Sequence, residues 1–156
     1  MSLRIGIVTE TDPAAAKARV QFPDRDNVQS FWLQVLQGKT KSDKTYWMPV
    51  TGEHVVVIMD KGEEAGVIAG AIYSEADAPP SSDPNVHTIV YGDGASLTYD
   101  KGSQTFRLAV GGVSVEISPG GVAITGGSVT HNGTTIDDTH THGGILPGPA
   151  STDVPD

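Results

Sequence analysis

The chain has 156 residues, enough for one ordinary domain or for a small domain with an extended appendage. Its net charge is −9 and its 10 basic residues are scattered, which argues against binding of nucleic acid or anionic membranes through a basic patch. Cysteine is absent, which excludes disulfides and thiolate chemistry, and 19 glycines without proline enrichment or a Gly-x-y period favour short strands and tight turns over collagen.

The first residues lack the long apolar stretch of a signal peptide, and no apolar run reaches the length of a membrane span. We therefore expect the chain to be made and assembled in the cytoplasm of the cell that produces it.

Five segments in the N-terminal half are rich in β-branched and apolar residues and are bounded by turn residues. They are residues 3–9, 17–22, 30–37, 53–60 and 65–73. Residues 14–18 form at most a marginal helical turn, and residues 60–64 predict a hairpin loop between the fourth and fifth strands. Five strands without helical periodicity predict a small OB-like barrel over residues 1–75.

A proline-rich and acidic segment follows the predicted barrel. Residues 76–85 hold too few apolar side chains to build a packed core, and proline-rich segments stay extended. We therefore expect a semi-rigid linker.

Beyond the linker, short segments alternate apolar with small or polar residues, and glycine turns separate them. They are residues 95–100, 105–110, 112–117, 121–124 and 128–131. The alternation gives the strands one apolar face, formed by Leu97, Tyr99, Phe106, Leu108, Val110, Val113, Val115, Ile117, Val122 and Ile124. A single meander would leave that face and its edges uncovered, whereas three copies wound together would bury both. The all-β chain is therefore predicted to continue, over residues 86–139, as an intertwined trimeric triple-stranded β-helix.

A His-x-His pair, His140 and His142, follows this region. On an extended strand both side chains point the same way, with Cα atoms roughly 6.6 Å apart, so the two imidazoles can share an ion. Three chains meeting on a threefold axis would supply six nitrogens, which suits an octahedral first-row metal. Residues 140–156 are therefore predicted to be a metal-binding apex with a C-terminal tail.

The alternative of a catalytic metal centre has weaker support. Asp138 and His142 would lie about 13 Å apart on one strand, so both cannot readily join His140 on one ion. Gly144 and Ile145 also stand where a metallo-β-lactamase-like hydrolase would carry Asp and His. We expect no enzymatic activity.

Several stretches together resemble a known family. They are Trp47-Met48-Pro49-Val50-Thr51-Gly52-Glu53-His54-Val55-Val56-Val57, Gly66-Val67-Ile68-Ala69-Gly70-Ala71-Ile72-Tyr73, Pro79-Pro80 and the His140-Thr141-His142-Gly143 ending. With the glycine-rich repeat between them, they resemble baseplate assembly protein V, the central spike of contractile-tailed phages, which is similar in design to pyocin and type VI secretion spikes.

The resemblance implies a homotrimer at the tip of the virion tail baseplate, assembled in the host cytoplasm. It implies that His140 and His142 of three chains hold one iron ion per trimer, with further structural ions possible. It also implies that the barrel binds tail hub and baseplate proteins, and that the tip perforates the bacterial outer membrane when the sheath contracts. No lysozyme-like insertion separates the predicted barrel and spike, so cell-wall hydrolysis is not implied.

The chief alternative function is a trimeric receptor- or carbohydrate-binding tail fibre or adhesin. Such a protein needs exposed aromatic or polar receptor contacts, yet the distal half holds only Tyr91, Tyr99 and Phe106, of which at least two fit the apolar face.

Four further residue sets have ordinary interpretations beside functional ones. Trp32 and Trp47 are expected in the barrel core or at an interface rather than stacked on a carbohydrate. His131 is expected to be an ordinary strand histidine. The acidic turns at Asp93 and at residues 137–138 are expected to be solvated rather than calcium ligands.

Overall fold

The computed structural model describes residues 1–136, so the predicted apex, with His140 and His142, lies outside the described residues. The chain divides into two compact units between Pro79 and Pro80, inside the predicted linker. In the described part, no helix is long and apolar enough to cross a membrane.

The N-terminal unit is a closed barrel. Its strands are β1 (Ser2–Asp12), β2 (Lys17–Phe22), β3 (Val28–Gln29), β4 (Leu33–Val35), β5 (His54–Met59) and β6 (Gly66–Ala71), and a 3-10 turn covers Pro23–Arg25. The strand order is β1-β5-β6-β4-β2, and β2 pairs back with β1 to close the barrel. The short β3 pairs with the end of β2. All pairs are antiparallel except β4 with β6. A five-stranded closed barrel with this order is OB-like, as the sequence predicts.

Side chains that alternate along the strands fill the barrel. In β2 and β5 every second residue is buried, because successive residues of a strand point to opposite faces. The core consists of Val8, Ala18, Val20, Phe22, Leu33, Val55, Val57, Met59 and Ile68.

Two glycines allow the barrel wall to close tightly. A Cβ at Gly6 would lie 2.6 Å from the carbonyl oxygen of Gln21, and a Cβ at Gly66 would lie 2.6 Å from the carbonyl oxygen of Ile58. Only glycine leaves room for such close backbone approach in a strand.

Most predicted barrel strands agree with the structure, with two differences. Of residues 30–37 only Leu33–Val35, strand β4, lie in the sheet, and Ser30 is buried between β3 and β4, where it bonds to Val20 of β2. Its hydroxyl accepts the N–H of Val20 at 2.9 Å and donates to the carbonyl of Phe31 at 2.7 Å. A turn over residues 13–16, with Ala16 at φ 52°, replaces the marginal helical turn, and Lys17 and Ala18 already belong to β2.

The C-terminal unit is an antiparallel meander followed by a small hairpin. Its five-stranded sheet contains β7 (Val86–Val90), β8 (Ser96–Asp100), β9 (Thr105–Val110), β10 (Val113–Ser118) and β11 (Gly121–Thr125) in sequential order. The hairpin pairs β12 (Thr130–His131) with β13 (Thr134–Thr135) through Asn132-Gly133, whose φ angles of 49° and 82° fit a type I′ turn. β7 and β13 are strands that the sequence did not predict. Among the described residues of this unit, none is fully buried.

Candidate functional site

One surface of the five-stranded sheet is apolar from edge to edge, and we call it the apolar face. Residues directly opposite each other across neighbouring strands lie on the same side of a sheet. The register makes two cross-strand rows, Ile89-Leu97-Leu108-Val115-Ile124 and Tyr99-Phe106-Ile117-Val122, and pairs Val110 with Val113. The structure therefore places on one face the ten apolar residues that the sequence assigned to it.

The apolar face is uncovered in a single chain. Phe106 is 49% exposed, Ile117 is 53% exposed and Val122 is 66% exposed. Contiguous apolar surface of this kind marks an interaction site, because burying it stabilises an assembly by about 25 cal/mol per Å².

Two aromatic rings are fixed within the apolar face. Tyr99 and Phe106 stack with ring centroids 4.5 Å apart and an interplanar angle of 25°. His87 lies opposite Tyr99 and continues the second row onto β7, at the edge of the sheet. The two rings pack against each other from neighbouring strands, as side chains in a protein core do.

The opposite face of the same sheet is polar. The hydroxyls of Thr88 and Thr98 are hydrogen-bonded at 2.7 Å, and Thr98 lies opposite Arg107, which in turn lies opposite Glu116. Opposite charges on adjacent strands support pairing. The sheet thus has one face suited to water and one suited to burial.

Short side-chain hydrogen bonds close the turn between β8 and β9. The carboxylate of Asp100 accepts a hydrogen bond from the Ser103 hydroxyl at 2.8 Å and another from the Gly102 N–H at 2.7 Å. Both bonds favour the ionised form, and they lower the pKa of Asp100 below its usual 3.8. Hydrogen bonds to the ionised carboxylate therefore hold the turn in place.

The predicted metal ligands are not tested by the described residues. His140, His142 and Asp138 lie outside them, and His131 is exposed on β12 opposite Thr134. Between residues 1 and 136, no group of three or more His, Cys, Asp or Glu side chains could hold a metal ion.

The acidic turn at Asp93 has a structural role. Its carboxylate accepts the N–H of Ala95 at 3.0 Å, so it stabilises the loop between β7 and β8. Residues 137–138, the other acidic turn, lie outside the described residues.

Both tryptophans lie at the barrel surface, so of the two positions that the sequence left open, the core and an interface, the core is wrong. Trp32 is 43% exposed with the Arg19 guanidinium 6.0 Å from its ring centroid, and Trp47 is 59% exposed. The core of this small barrel is filled by aliphatic side chains and one phenylalanine, which leaves the larger indoles outside. An interface position remains consistent with their exposure.

The sequence did not indicate an ion-pair cluster on the barrel. Arg4 lies 3.1 Å from the Asp24 carboxylate and also pairs with Glu63, which pairs in addition with Arg25. The cluster joins β1, the 3-10 turn and the hairpin between β5 and β6. Along the chain Arg4 is 20 residues from Asp24 and 59 residues from Glu63, so no local sequence pattern could reveal the cluster. Its role is to brace the barrel.

Comparison with known proteins agrees with this architecture. Residues 4–73 match the family described as the type VI secretion system/phage-baseplate injector OB domain. Over 112 residues the chain is 32% identical to the spike protein of Escherichia phage P2, an alignment that covers 71% of this chain and 51% of that protein. The chain thus spans about half the length of the curated relative it matches.

The family match begins in β1 and ends just after β6, so it coincides with the closed barrel. At 112 residues, the alignment with the P2 protein is longer than the barrel unit of residues 1–79, so the likeness is not confined to the barrel. Residues 4–73 therefore belong to the injector OB domain family of phage baseplates and type VI secretion systems, and the chain that carries them is a relative of phage baseplate and spike proteins.

Proposed function

We propose that the chain is the structural central spike of a contractile tail, which perforates the bacterial outer membrane when the sheath contracts. One observation carries the proposal: an injector OB domain is followed by a sheet whose apolar face has no covering layer in one chain and leaves most of its side chains exposed. A sheet of this kind is a component of an assembly rather than a finished domain.

The assembly is a homotrimer. Three sheets that turn their apolar faces to a common axis would form a closed prism with the polar faces outward. In this trimer Phe106 and Ile117, about half exposed in one chain, become core residues. Because β7 to β11 pair in sequential order within one chain, each side of the prism would be one chain's sheet, and we propose that the intertwining predicted from the sequence is how the three chains wind about the axis and cover their sheet edges.

The distal end of the prism is held by metal. His140 and His142 of three chains would provide six neutral imidazole nitrogens around one ion, an all-nitrogen donor set that suits octahedral Fe(II) as well as Ni(II) or Co(II). The choice of iron rests on the family resemblance. The ion would tie three chain ends together, as a staple rather than a catalyst, and the proposed role is not enzymatic.

The relatives also support a place in the virion. Membership of a phage-baseplate OB family indicates a tail location and association with other tail proteins. We propose that the barrel docks on hub and baseplate proteins, that assembly takes place in the host cytoplasm, and that contact with the outer membrane is brief and mechanical.

Light scattering combined with elemental analysis tests the trimer and its metal. We expect a mass three times 16.2 kDa and one iron per three chains. A stable monomer at micromolar concentration would contradict the prism, and one metal in every chain would contradict the shared site.

Paired variants on one strand test the face that carries the proposal. Ile117→Asp, on the apolar face of β10, should yield monomers, whereas Ser114→Asp, on the opposite face of β10, should remain trimeric. In particles that carry the chain, Ile117→Asp should also abolish outer-membrane permeabilisation, measured by dye uptake. Unchanged trimerisation of Ile117→Asp would refute the proposed packing.

The alternative, a receptor- or carbohydrate-binding fibre, has less support. Tyr99 and Phe106 are stacked within the apolar face, where a trimer buries them and removes them from a receptor surface.

A further inference from the structure

The connection between β4 and β5 is the longest in the barrel. Residues 36–53, which we call the β4–β5 loop, form no strand of their own apart from a single bridge between Thr40 and Lys44. Connections longer than about 12–15 residues are uncommon in compact domains, and those without secondary structure are usually either functional or disordered.

Hydrogen bonds hold the β4–β5 loop in an ordered conformation. The Gln37 side-chain amide donates to the Trp47 carbonyl at 3.1 Å, and its oxygen accepts the Trp47 N–H at 3.1 Å. Nearer the tip, the Thr45 hydroxyl accepts the N–H of Lys39 at 3.0 Å, and the Thr45 N–H donates to the Lys39 carbonyl at 2.9 Å. The loop is therefore a preformed surface, which loses little conformational entropy when a partner binds.

The β4–β5 loop borders an apolar groove on the barrel, with a volume of about 220 Å³. Its lining includes Val35, Leu36, Trp47, Pro49, Val55 and Ile68. Leu36 is 61% exposed and Trp47 is 59% exposed, so both present apolar surface to another molecule. An apolar cavity of about 150 Å³ holds a benzene molecule, so the groove has room for one large apolar side chain.

Gly70 of β6 helps to keep the groove open. It belongs to the lining, and a Cβ at Gly70 would meet no atom within 4 Å. The lining also includes Glu53, whose carboxylate is held within the loop because it accepts the Val50 N–H at 2.9 Å. The space beside Gly70 can therefore be filled from outside without displacing any part of the barrel.

The tip of the same loop carries positive charge. Residues 39–44 contain three of the 10 basic residues in a chain of net charge −9, and all three lysines are exposed. Lys39 lies 3.3 Å from the Asp43 carboxylate. Within the described part of the chain, Lys41 and Lys44 form no ion pair. They are therefore available to carboxylates of a partner, and such complementary charge speeds association and selects the partner.

We infer that the β4–β5 loop and its groove dock an acidic segment of a different tail protein. One large apolar side chain of that segment fills the groove, and its carboxylates pair with Lys41 and Lys44. The inference rests on the docking of the barrel proposed above, and it names the surface and the chemistry of that contact. An apolar anchor in a pocket with charged groups around it is the usual arrangement at the centre of a protein interface.

Two observations favour a different protein over a second copy of this chain. Two β4–β5 loops repel each other through their lysines, so the surface is not complementary to itself. Membership of a phage-baseplate OB family also indicates association with other tail proteins. An acidic partner satisfies both.

Charge reversal tests the lysines in purified tails that carry variants of the full chain. Lys41→Glu/Lys44→Glu should lower the number of copies per tail, counted by quantitative mass spectrometry, by at least about tenfold. Lys61→Glu/Lys101→Glu is the matched control, because it changes the net charge equally at exposed positions outside the loop. The control should be incorporated at the wild-type level.

Filling the groove tests the apolar anchor independently. Gly70→Met places a long side chain in the groove and should also lower incorporation at least about tenfold, whereas Gly70→Ala should have little effect. Light scattering and thermal unfolding of each purified variant establish that it keeps the oligomeric state and the stability of the wild type. Loss of incorporation then reports on docking.

A photo-crosslinking amino acid, p-benzoylphenylalanine, at position 36 identifies the occupant in assembled tails. Adducts with an acidic segment of a different tail protein support the inference, and adducts with a second copy of this chain overturn it. Wild-type incorporation of both Lys41→Glu/Lys44→Glu and Gly70→Met also overturns it, while the proposed function stands. A wild-type chain that is absent from the tails contradicts the proposed function itself.

Discussion

Asp100 shows how one side chain can fix a turn in a glycine-rich sheet. The hydroxyl of Ser103 and the N–H of Gly102 both donate to its carboxylate, and they lower its pKa below 3.8. A carboxyl group whose pKa is lower in the folded than in the unfolded protein stabilises the fold. This contribution is fully present at pH values above the pKa of the unfolded state. That contribution is lost as the pH falls through the folded pKa. The turn should therefore weaken only in strong acid, below pH 3.8.

A carbon-detected titration of the Asp100 carboxyl group should give a pKa below 3.8, and Ser103→Ala should raise it toward that value. The Ser103 hydroxyl makes the largest contribution to the shift, so its removal is the sharpest perturbation. An Asp100 pKa that does not change in the Ser103→Ala protein would show that the backbone N–H groups alone set it.

Two leucines three residues apart test the extent of the barrel core. Leu33 is 1% exposed and Leu36 is 61% exposed. Leu33→Ala should lower the free energy of unfolding by about 2–5 kcal/mol, because it leaves a cavity. Leu36→Ala should change it by less than about 0.5 kcal/mol. Urea denaturation of both variants measures the difference, and equal losses would place Leu36 in a packed interface of the assembly.

At the scale of one strand, β6 carries two glycines with different surroundings. A Cβ at Gly66 would lie 2.6 Å from the Ile58 carbonyl oxygen and 2.7 Å from the sulfur of Met59, whereas a Cβ at Gly70 would meet nothing within 4 Å. Gly66→Ala should therefore lower the free energy of unfolding by about 1–3 kcal/mol, because the pairing of β5 with β6 must open.

Gly70→Ala is the control on the same strand. It should be neutral or should stabilise the barrel by up to about 1 kcal/mol, since it restricts the unfolded chain without a clash. Thermal unfolding compares the two, and a Gly66→Ala protein as stable as the wild type would show that the barrel wall can yield there.

Alternation along a strand was the most reliable signal in the sequence. It placed Leu97, Phe106 and Ile117 on one face before the register was known, because side-chain direction has a period of two whatever the partner. The hairpin at residues 60–64 was also predictable, from its polar turn residues. The structure confirms both.

Features set by distant contacts could not be predicted from the sequence. The segment 30–37 has the composition of one strand, but only Leu33–Val35 pair within the sheet, and the Ser30 hydroxyl instead accepts the N–H of Val20, ten residues away. Strand β7 was missed because Val86-His87-Thr88-Ile89-Val90 lacks strict alternation. The surface positions of Trp32 and Trp47 depend on how little space a closed barrel of this size leaves, which composition does not reveal.

For the whole molecule, the apolar face links the C-terminal unit to the proposed trimer. The face would be covered only when three chains are present. Assembly and folding of the C-terminal unit are then linked, since no described residue of that unit is fully buried in one chain.

The metal proposed at His140 and His142 should leave the trimer as the pH falls. Imidazole binds a cation only when it is deprotonated, so six protons compete with one ion. Chelation by three pairs should hold the metal well below the ordinary histidine pKa of about 6.5, with release toward about pH 4. Release should be cooperative, because loss of one chain's pair leaves four nitrogens in a geometry made for six.

Bound metal measured against pH on the intact trimer tests this expectation, with the His140→Ala/His142→Ala protein as the control that should bind no metal at any pH. The control should still trimerise, because the apolar face lies elsewhere in the chain. Gradual release centred between about pH 6 and 7 would indicate exposed histidines that titrate independently near their ordinary pKa. Such a profile would exclude an enclosed axial site and leave the His-x-His pair as a solvated loop.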